Sequence, residues 1–396
     1  MLIWFCLSKF RLILLLVLLS GLNGAPALAL PSSLRVKLFE AHGRLESVHI
    51  RGPFDIVVPG QKRISKTEWI RVSSRNGQIE LFSSGNSHHS FLSCQKLVVQ
   101  PLDRRGVRIR INRDTIERAY LGRLNFSVGD TAKLPSLKIV NELPTFEYVA
   151  SVVGSESPVR SPPEAMKALA VLVIAIVEQK GERSLVGDST KEQAYKGCEH
   201  ATPSVFAAVK AVYGKRLFYK NSPVQAFFHS TCAGGTSRGV DIFGKNAGPL
   251  VYLESVPCEY CKDSPFWDLK VSSLPLSTMN QAFGGRLSAT KYDAQDRPTE
   301  VKILDGKSAG KVMSGYEAWL RIGRTYGWGK VPGTRYQFRD NNEKLVDIES
   351  SGAGHGVGYC QWGGVGMAEQ GKTYEEILRF YFPKCNLRTI ALRAPR

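Results

Sequence analysis

A glutamate ends an apolar stretch, Tyr148-Val149-Ala150-Ser151-Val152-Val153-Gly154-Ser155-Glu156, just ahead of Pro158. Apolar walls disfavour a charged carboxylate by desolvation. A carboxyl kept protonated in this way can act as the general acid that protonates a glycosidic oxygen near neutral pH. The plainer alternative is a solvated glutamate in a loop before a helix.

A second constellation is Phe227-Phe228-His229-Ser230-Thr231-Cys232-Ala233-Gly234-Gly235-Thr236, preceded by Cys198 and followed by Cys258-x-x-Cys261. Cys198, Cys232, Cys258 and Cys261 are the expected ligands of a closed structural zinc site, with His229 or His200 as substitutes. Two disulfides are the alternative in an oxidising compartment. A redox pair is disfavoured, because no thioredoxin-like βαβ pattern surrounds the C-x-x-C.

The third constellation runs from Gly352 to Gly364 and presents His355, Gln361 and Trp362 from a glycine-rich loop. Glycines let backbone approach a ligand closely. Trp and Tyr faces can stack on sugars, and an amide can bond hydroxyls. A tight turn around a satisfied core histidine is the competing reading. No Lys-Ser or Lys-Thr follows, so this is not a phosphate-binding loop. Ser230, Cys232 and Cys360 lie near histidines in sequence, but no G-x-S-x-G elbow exists to make an acyl-transfer nucleophile.

Several elements must position these groups. Leu34 to Phe39, Ile70 to Val72 and Val107 to Ile111 alternate apolar and polar, as strands do. Gly52-Pro53, Pro59-Gly60 and Asn76-Gly77 supply the turns between them. Residues 30–120 therefore read as an all-β domain with a supporting or binding role, and 121–396 as the domain carrying the chemistry. Ser161-Pro162-Pro163-Glu164 opens a helix, with Pro163 suited to its first turn and Glu164 to the positive end of its dipole. From Ala165 to Val177 that helix is apolar nearly all round, so most of its sides should be buried. Thr202-Pro203 starts another helix that Gly214 stops. Ser314 with Glu317, and Thr373 with Glu376, have capping-box spacing. The fold class is α+β: mixed helices and antiparallel strands around a cleft, with an N-terminal all-β portion and no internal repeat.

The N-terminus reads as a secretory signal peptide over residues 1–29. Lys9 and Arg11 precede the apolar run Leu12 to Leu19, and Ala27-Leu28-Ala29 is a cleavage-site pattern. An uncleaved membrane anchor is the alternative, and membrane contact is expected only in that case. The formal charge is +18, from 53 Lys and Arg against 35 Asp and Glu. For an exported protein this points to acidic wall polymers rather than nucleic acid, unless the charge is only a solvated surface.

Taken together, the segments resemble the sporulation stage II D protein family, which also contains LytB-type amidase enhancers. The YLxGVVxxE motif of that family is matched by Tyr148 to Glu156, and its EALKAQAVAARTY helix by Glu164 to Val171. The Y-x-G element is matched by Tyr195 to Gly197, and FHSTCGGxT by Phe228 to Thr236. GHGVGMSQYGA and the motif after it are matched by Gly354 to Gly363, Met367 to Gly371 and Tyr374 to Phe382. The resemblance implies a lytic transglycosylase acting on peptidoglycan glycan strands stripped of stem peptides. It implies Glu156 as the acid and then the base, and substrate contacts at Tyr195, His229, Ser230, His355, Gln361 and Trp362. It also implies a structural zinc ion without fixing its ligands.

This chain departs from the family pattern at Leu169, where a Gln is usual, and at Ile174-Ala175-Ile176, where Arg-Thr-Tyr is usual. It departs again at Tyr359-Cys360, where Met-Ser is usual. The lost arginine favours an alternative: a non-catalytic glycan-binding module that enhances a partner cell-wall amidase. A structural envelope protein is the third reading.

Overall fold

The computed structural model describes residues 30–390, apart from 62, 84–88, 112–116, 130–135, 182–184, 190–192, 245–249 and 341–343. The signal-peptide expectation lies outside these residues.

The alternating stretches are strands: Ser33–Lys37, Ile70–Arg75 and Val107–Ile111. At Asn76-Gly77 both residues have positive φ, 48° and 74°. That conformation matches the right-handed twist of the flanking strands in a hairpin. Two antiparallel-rich sheets result. One contains seven strands in the order Leu185–Gly187, Ser33–Lys37, Ser136–Pro144, Arg123–Gly129, Lys96–Pro101, Phe54–Val57, Ile64–Lys66. The other contains six, in the order Glu117–Tyr120, Val107–Ile111, Ser47–Arg51, Ile70–Arg75, Gln78–Ser83, Leu92–Cys94. Val36, Val48, Ile50, Val72, Leu81, Val99, Leu124 and Phe126 are buried in one continuous core. The β portion therefore runs past residue 120 to Pro144, because the strands after 120 pair into the sheet that Ser33–Lys37 begins.

The strand Ser136–Pro144 leads straight into helix α1, Thr145–Glu156. The apolar helix α2, Pro163–Lys180, follows with Pro at its first turn. Its packing fits its composition: Ala168 to Ile174 are all buried. It lies against α1, against α3 (Pro203–Val212) and against the C-terminal helices. The short helix α4 covers Gly239–Phe243. An inserted unit between residues 270 and 351 includes α5 (Leu276–Phe283) and α6 (Gly315–Tyr326). It also carries the strands Lys270–Pro275, Leu345–Ser351 and Arg335–Asp340, and the hairpin Leu287–Tyr292 with Pro298–Ile303. Its own apolar cluster contains Met279, Phe283, Val301, Ile322 and Ile348. The chain then returns to the main core through α7, Gln361–Glu369, and α8, Tyr374–Tyr381.

Thr373 and Glu376 form the full capping box expected of them. Ser314 caps α6 by accepting the Glu317 N–H at 3.1 Å, without the reciprocal bond. Ser314 is itself the end of a strand paired with Glu300. Glu164 accepts the Tyr374 N–H at 2.8 Å and so ties the start of α2 to the start of α8.

Candidate active site and thiol cluster

Glu156 is the last residue of α1, and Pro158 prevents the helix from continuing. The inner face of α1 is set by buried Tyr148, Val149, Val152 and Val153. Two residues before the glutamate is a close contact: a Cβ placed on Gly154 would lie 2.2 Å from the His200 carbonyl oxygen. Glycine at 154 lets the turn before α3 press directly on the end of α1. Glu156 is partly exposed and held by two donors. Its Oε1 accepts the Ala194 N–H at 2.6 Å, and its Oε2 accepts from Gln361 Nε2 at 3.2 Å. The glutamate is thus a fixed group at a helix end, rather than a free loop side chain.

Gln361 arrives from 205 positions away because of a short parallel pairing, Phe228–His229 with Tyr359–Cys360. That pairing ends where α7 begins. The Trp362 N–H then donates to the Ser230 carbonyl at 3.1 Å, and Tyr359 donates its hydroxyl to the Ala165 carbonyl at 3.2 Å. Ser230 and Trp362, both partly exposed, therefore flank the residue that holds Glu156.

Three other residues expected at the substrate are placed differently. Tyr195 is fully buried, stacked on Tyr148 at 5.3 Å and donating its hydroxyl to Asn141 Oδ1 at 2.5 Å. Its ring anchors the segment whose Ala194 N–H reaches Glu156, and has no surface to offer a ligand. His229 is buried, with Nδ1 donating to the Val357 carbonyl at 3.1 Å and Nε2 unpartnered. Burial pushes its pKa well down. His355 is gripped by Phe227, Phe243 and His229, at ring distances of 6.0, 5.4 and 5.5 Å. The glycine-rich loop packs it on that aromatic pocket and leaves it partly exposed.

Burial also pushes the His355 pKa down, to about 4. The unfolded chain therefore binds more protons than the folded one between about pH 6.5 and 4. Stability from this residue is fully present above about pH 6.5 and is lost as pH falls through about 4. Urea unfolding of wild type at pH 7 and pH 4.5 should differ by about 2 kcal/mol more than in His355→Gln. Equal pH dependence in the two proteins would remove His355 as the cause.

The thiols converge, with one replacement. Sγ atoms of Cys232, Cys258, Cys261 and Cys360 all lie within 4.8 Å of one another, and all four residues are buried. Cys198 lies elsewhere, with its N–H on the Ala119 carbonyl at 2.7 Å, at the edge of the β sandwich. Strand pairing explains the exchange. The partner of His229 is Cys360, which delivers a thiol beside Cys232, whereas the sheet contact draws Cys198 away. The seven described cysteines are all free thiols. Hydrogen bonding with Cys232 holds Cys258 and Cys261 below the ordinary thiol range, and burial pushes Cys360 up.

Four sulfurs around zinc at 2.3 Å would stand about 3.8 Å apart, so this cluster fits a tetrahedral ion. Cys360 Sγ also accepts N–H groups of Cys232 and Gly363, each at 3.3 Å. Cys258 Sγ lies 3.1 Å from the Tyr381 hydroxyl. Such outer partners orient thiolate ligands. Because Cys360 is also the N-cap of α7, the cluster fixes the residue immediately before Gln361. The sequence signal for this link was the adjacency of Cys360 and Gln361. Nothing in the sequence pointed to the Ala194 N–H.

Glu156 lines neither of two large cavities among the described residues. One, of about 780 Å³, is lined by Arg238, Phe243, Tyr292, Asp293 and Tyr316. The other, of about 830 Å³, lies between the β portion and the helices, beside Arg104, Arg123, Phe146 and Lys210. No helix among the described residues is long and apolar enough to cross a membrane.

The family described as SpoIID, stage II sporulation protein, matches residues 134–219, which span α1 to α3 and include Glu156. Stage II sporulation protein D of Bacillus amyloliquefaciens is 30% identical over 268 residues, covering 61% of this chain and 74% of that protein. Its counterpart in Bacillus subtilis (strain 168) is 29% identical over 268 residues, with the same coverage of 61% and 74%. An uncharacterized protein of Brachyspira hyodysenteriae is 31% identical over 252 residues, covering 62% of this chain and 66% of its own length.

Proposed function

The chain belongs to the stage II sporulation protein D family, and from that premise we propose that it acts in the cell wall, as a lytic transglycosylase of peptidoglycan. The observation that carries this reading is Glu156 at the end of α1, partly exposed and aimed by the Ala194 N–H and the Gln361 amide. A single carboxyl suffices for the reaction. Protonated Glu156 gives its proton to the glycosidic oxygen as that bond breaks. The resulting carboxylate takes the proton from the muramyl 6-hydroxyl as its oxygen closes on the anomeric carbon. The product is a 1,6-anhydro sugar. No second carboxylate is needed to position water, in contrast to ordinary glycoside hydrolysis.

Ser230 and Trp362, partly exposed on either side of Gln361, would bind the strand. The four-thiol cluster is proposed as a structural zinc site, and the β portion as a support or a second wall-binding surface. The protein would act after export, in the cell envelope. Its substrate would be glycan strands, and a cell-wall amidase that clears their stem peptides would be a natural partner.

A second reading, glycan binding that assists such an amidase, is favoured by one position. Ile174 stands where the family pattern has arginine, and it is fully buried in the core of α2. Mass spectrometry of peptide-free glycan strands after incubation with the protein separates the two. Anhydro-muramyl ends support the transglycosylase. Intact strands that sediment with the protein would replace it with the binding role.

A further inference from the structure

Arg297, at the turn of the inserted hairpin, is 1% exposed, which is unusual for an arginine. Its Nη2 donates to the Cys232 carbonyl at 2.6 Å and its Nη1 to Ser237 Oγ at 3.2 Å, both neutral acceptors. Its Nε has no partner. The glycine-rich loop lies flat on the guanidinium: a Cβ on Gly356 would stand 2.4 Å from Nε. Among the described residues no carboxylate is within ion-pair distance of it. Asp293 is the nearest anion by influence, but its oxygens already accept from the backbone of Gln295 and Arg297 and from the Ser237 hydroxyl.

A buried charge without a counter-charge costs several kcal/mol. Asp293, the nearest carboxylate, reaches Arg297 only through the Ser237 hydroxyl, which leaves the face toward Cys232 without a direct counter-charge. The residue whose carbonyl it grips, Cys232, belongs to the four-thiol cluster. A divalent ion held by four thiolates carries a net charge of about −2, in a site closed to water. We propose that Arg297 is the counter-charge of the metal-loaded four-thiol centre. The two charges then stabilise each other across the Cys232 backbone, and the metal locks the inserted hairpin to the main body. This inference rests on the reading of the four thiols as a metal site.

The test uses the purified full-length chain loaded with zinc and titrated with a chromogenic chelator. Arg297→Met should release zinc at about tenfold to hundredfold lower chelator concentration, the usual effect of removing an outer partner of a metal ligand. Arg297→Lys, which keeps the charge, should recover part of that loss. Zinc held by Arg297→Met as tightly as by wild type would overturn the proposal while leaving the metal site standing. Wild type that binds no zinc in the same titration would instead bring down the metal reading beneath it. A measurement without any variant covers the case in which Arg297→Met does not fold. Hydrogen exchange in residues 293–303 of wild type should accelerate when zinc is stripped. Exchange there that ignores the metal would count against the proposal.

Discussion

Glu156→Gln lowers the formation of anhydro-muramyl ends on peptide-free strands by about a thousandfold or more, with little change in melting temperature. A positioned acid–base group contributes about 10² to 10⁴ in rate, and here one side chain serves as both acid and base. An amide can neither give the proton to the leaving oxygen nor take one from the 6-hydroxyl. The fold should tolerate the change because both present partners can be kept. The new side-chain oxygen still accepts the Ala194 N–H, and Gln361 can turn its amide to present an oxygen to the new NH₂. Turnover by Glu156→Gln at the wild-type rate would sink the assigned role. Gln361→Ala should give a smaller loss, since it leaves the acid in place and removes only one of the groups that aim it.

Cys360→Ser is the second change with a large expected effect. Serine is a good N-cap, so the start of α7 keeps its cap while the cluster loses one of four thiolates. Structural zinc sites contribute apparent binding energies of about 10 kcal/mol or more at neutral pH, so losing one ligand should cost several kcal/mol of stability. Elemental analysis should find less than one zinc per chain. Cleavage should fall too, although Cys360 touches no substrate, because Gln361 is the next residue and follows the cap. Full zinc occupancy and an unchanged melting temperature in Cys360→Ser would argue that these four thiols hold no metal. If Cys198→Ser does alter metal content, the ligand set would have to be redrawn.

The sequence by itself determined the local elements and singled out the candidate glutamate. An apolar pattern on every side of Ala165 to Val177 could only be a buried helix, and it is one. Alternation at Val107 to Ile111 and the Asn76-Gly77 turn dictated strands and a hairpin. The ordered motifs picked out Glu156 and Gln361, which the fold joins. These readings succeed because helix and strand periodicity and capping depend on neighbours a few positions apart.

Only the tertiary structure decided which distant residues meet. Cys360 rather than Cys198 completes the thiol cluster because Phe228–His229 pairs with Tyr359–Cys360. Tyr195 faces the core and sends only its neighbour's N–H to the glutamate. His355 packs its ring against Phe227 and Phe243. Residues 274–348 close a small core of their own, and Arg297 from that unit reaches back beneath the glycine-rich loop. Each of these contacts joins residues tens to hundreds of positions apart. They follow from which strands pair and which faces pack, and no periodicity along the chain encodes that choice.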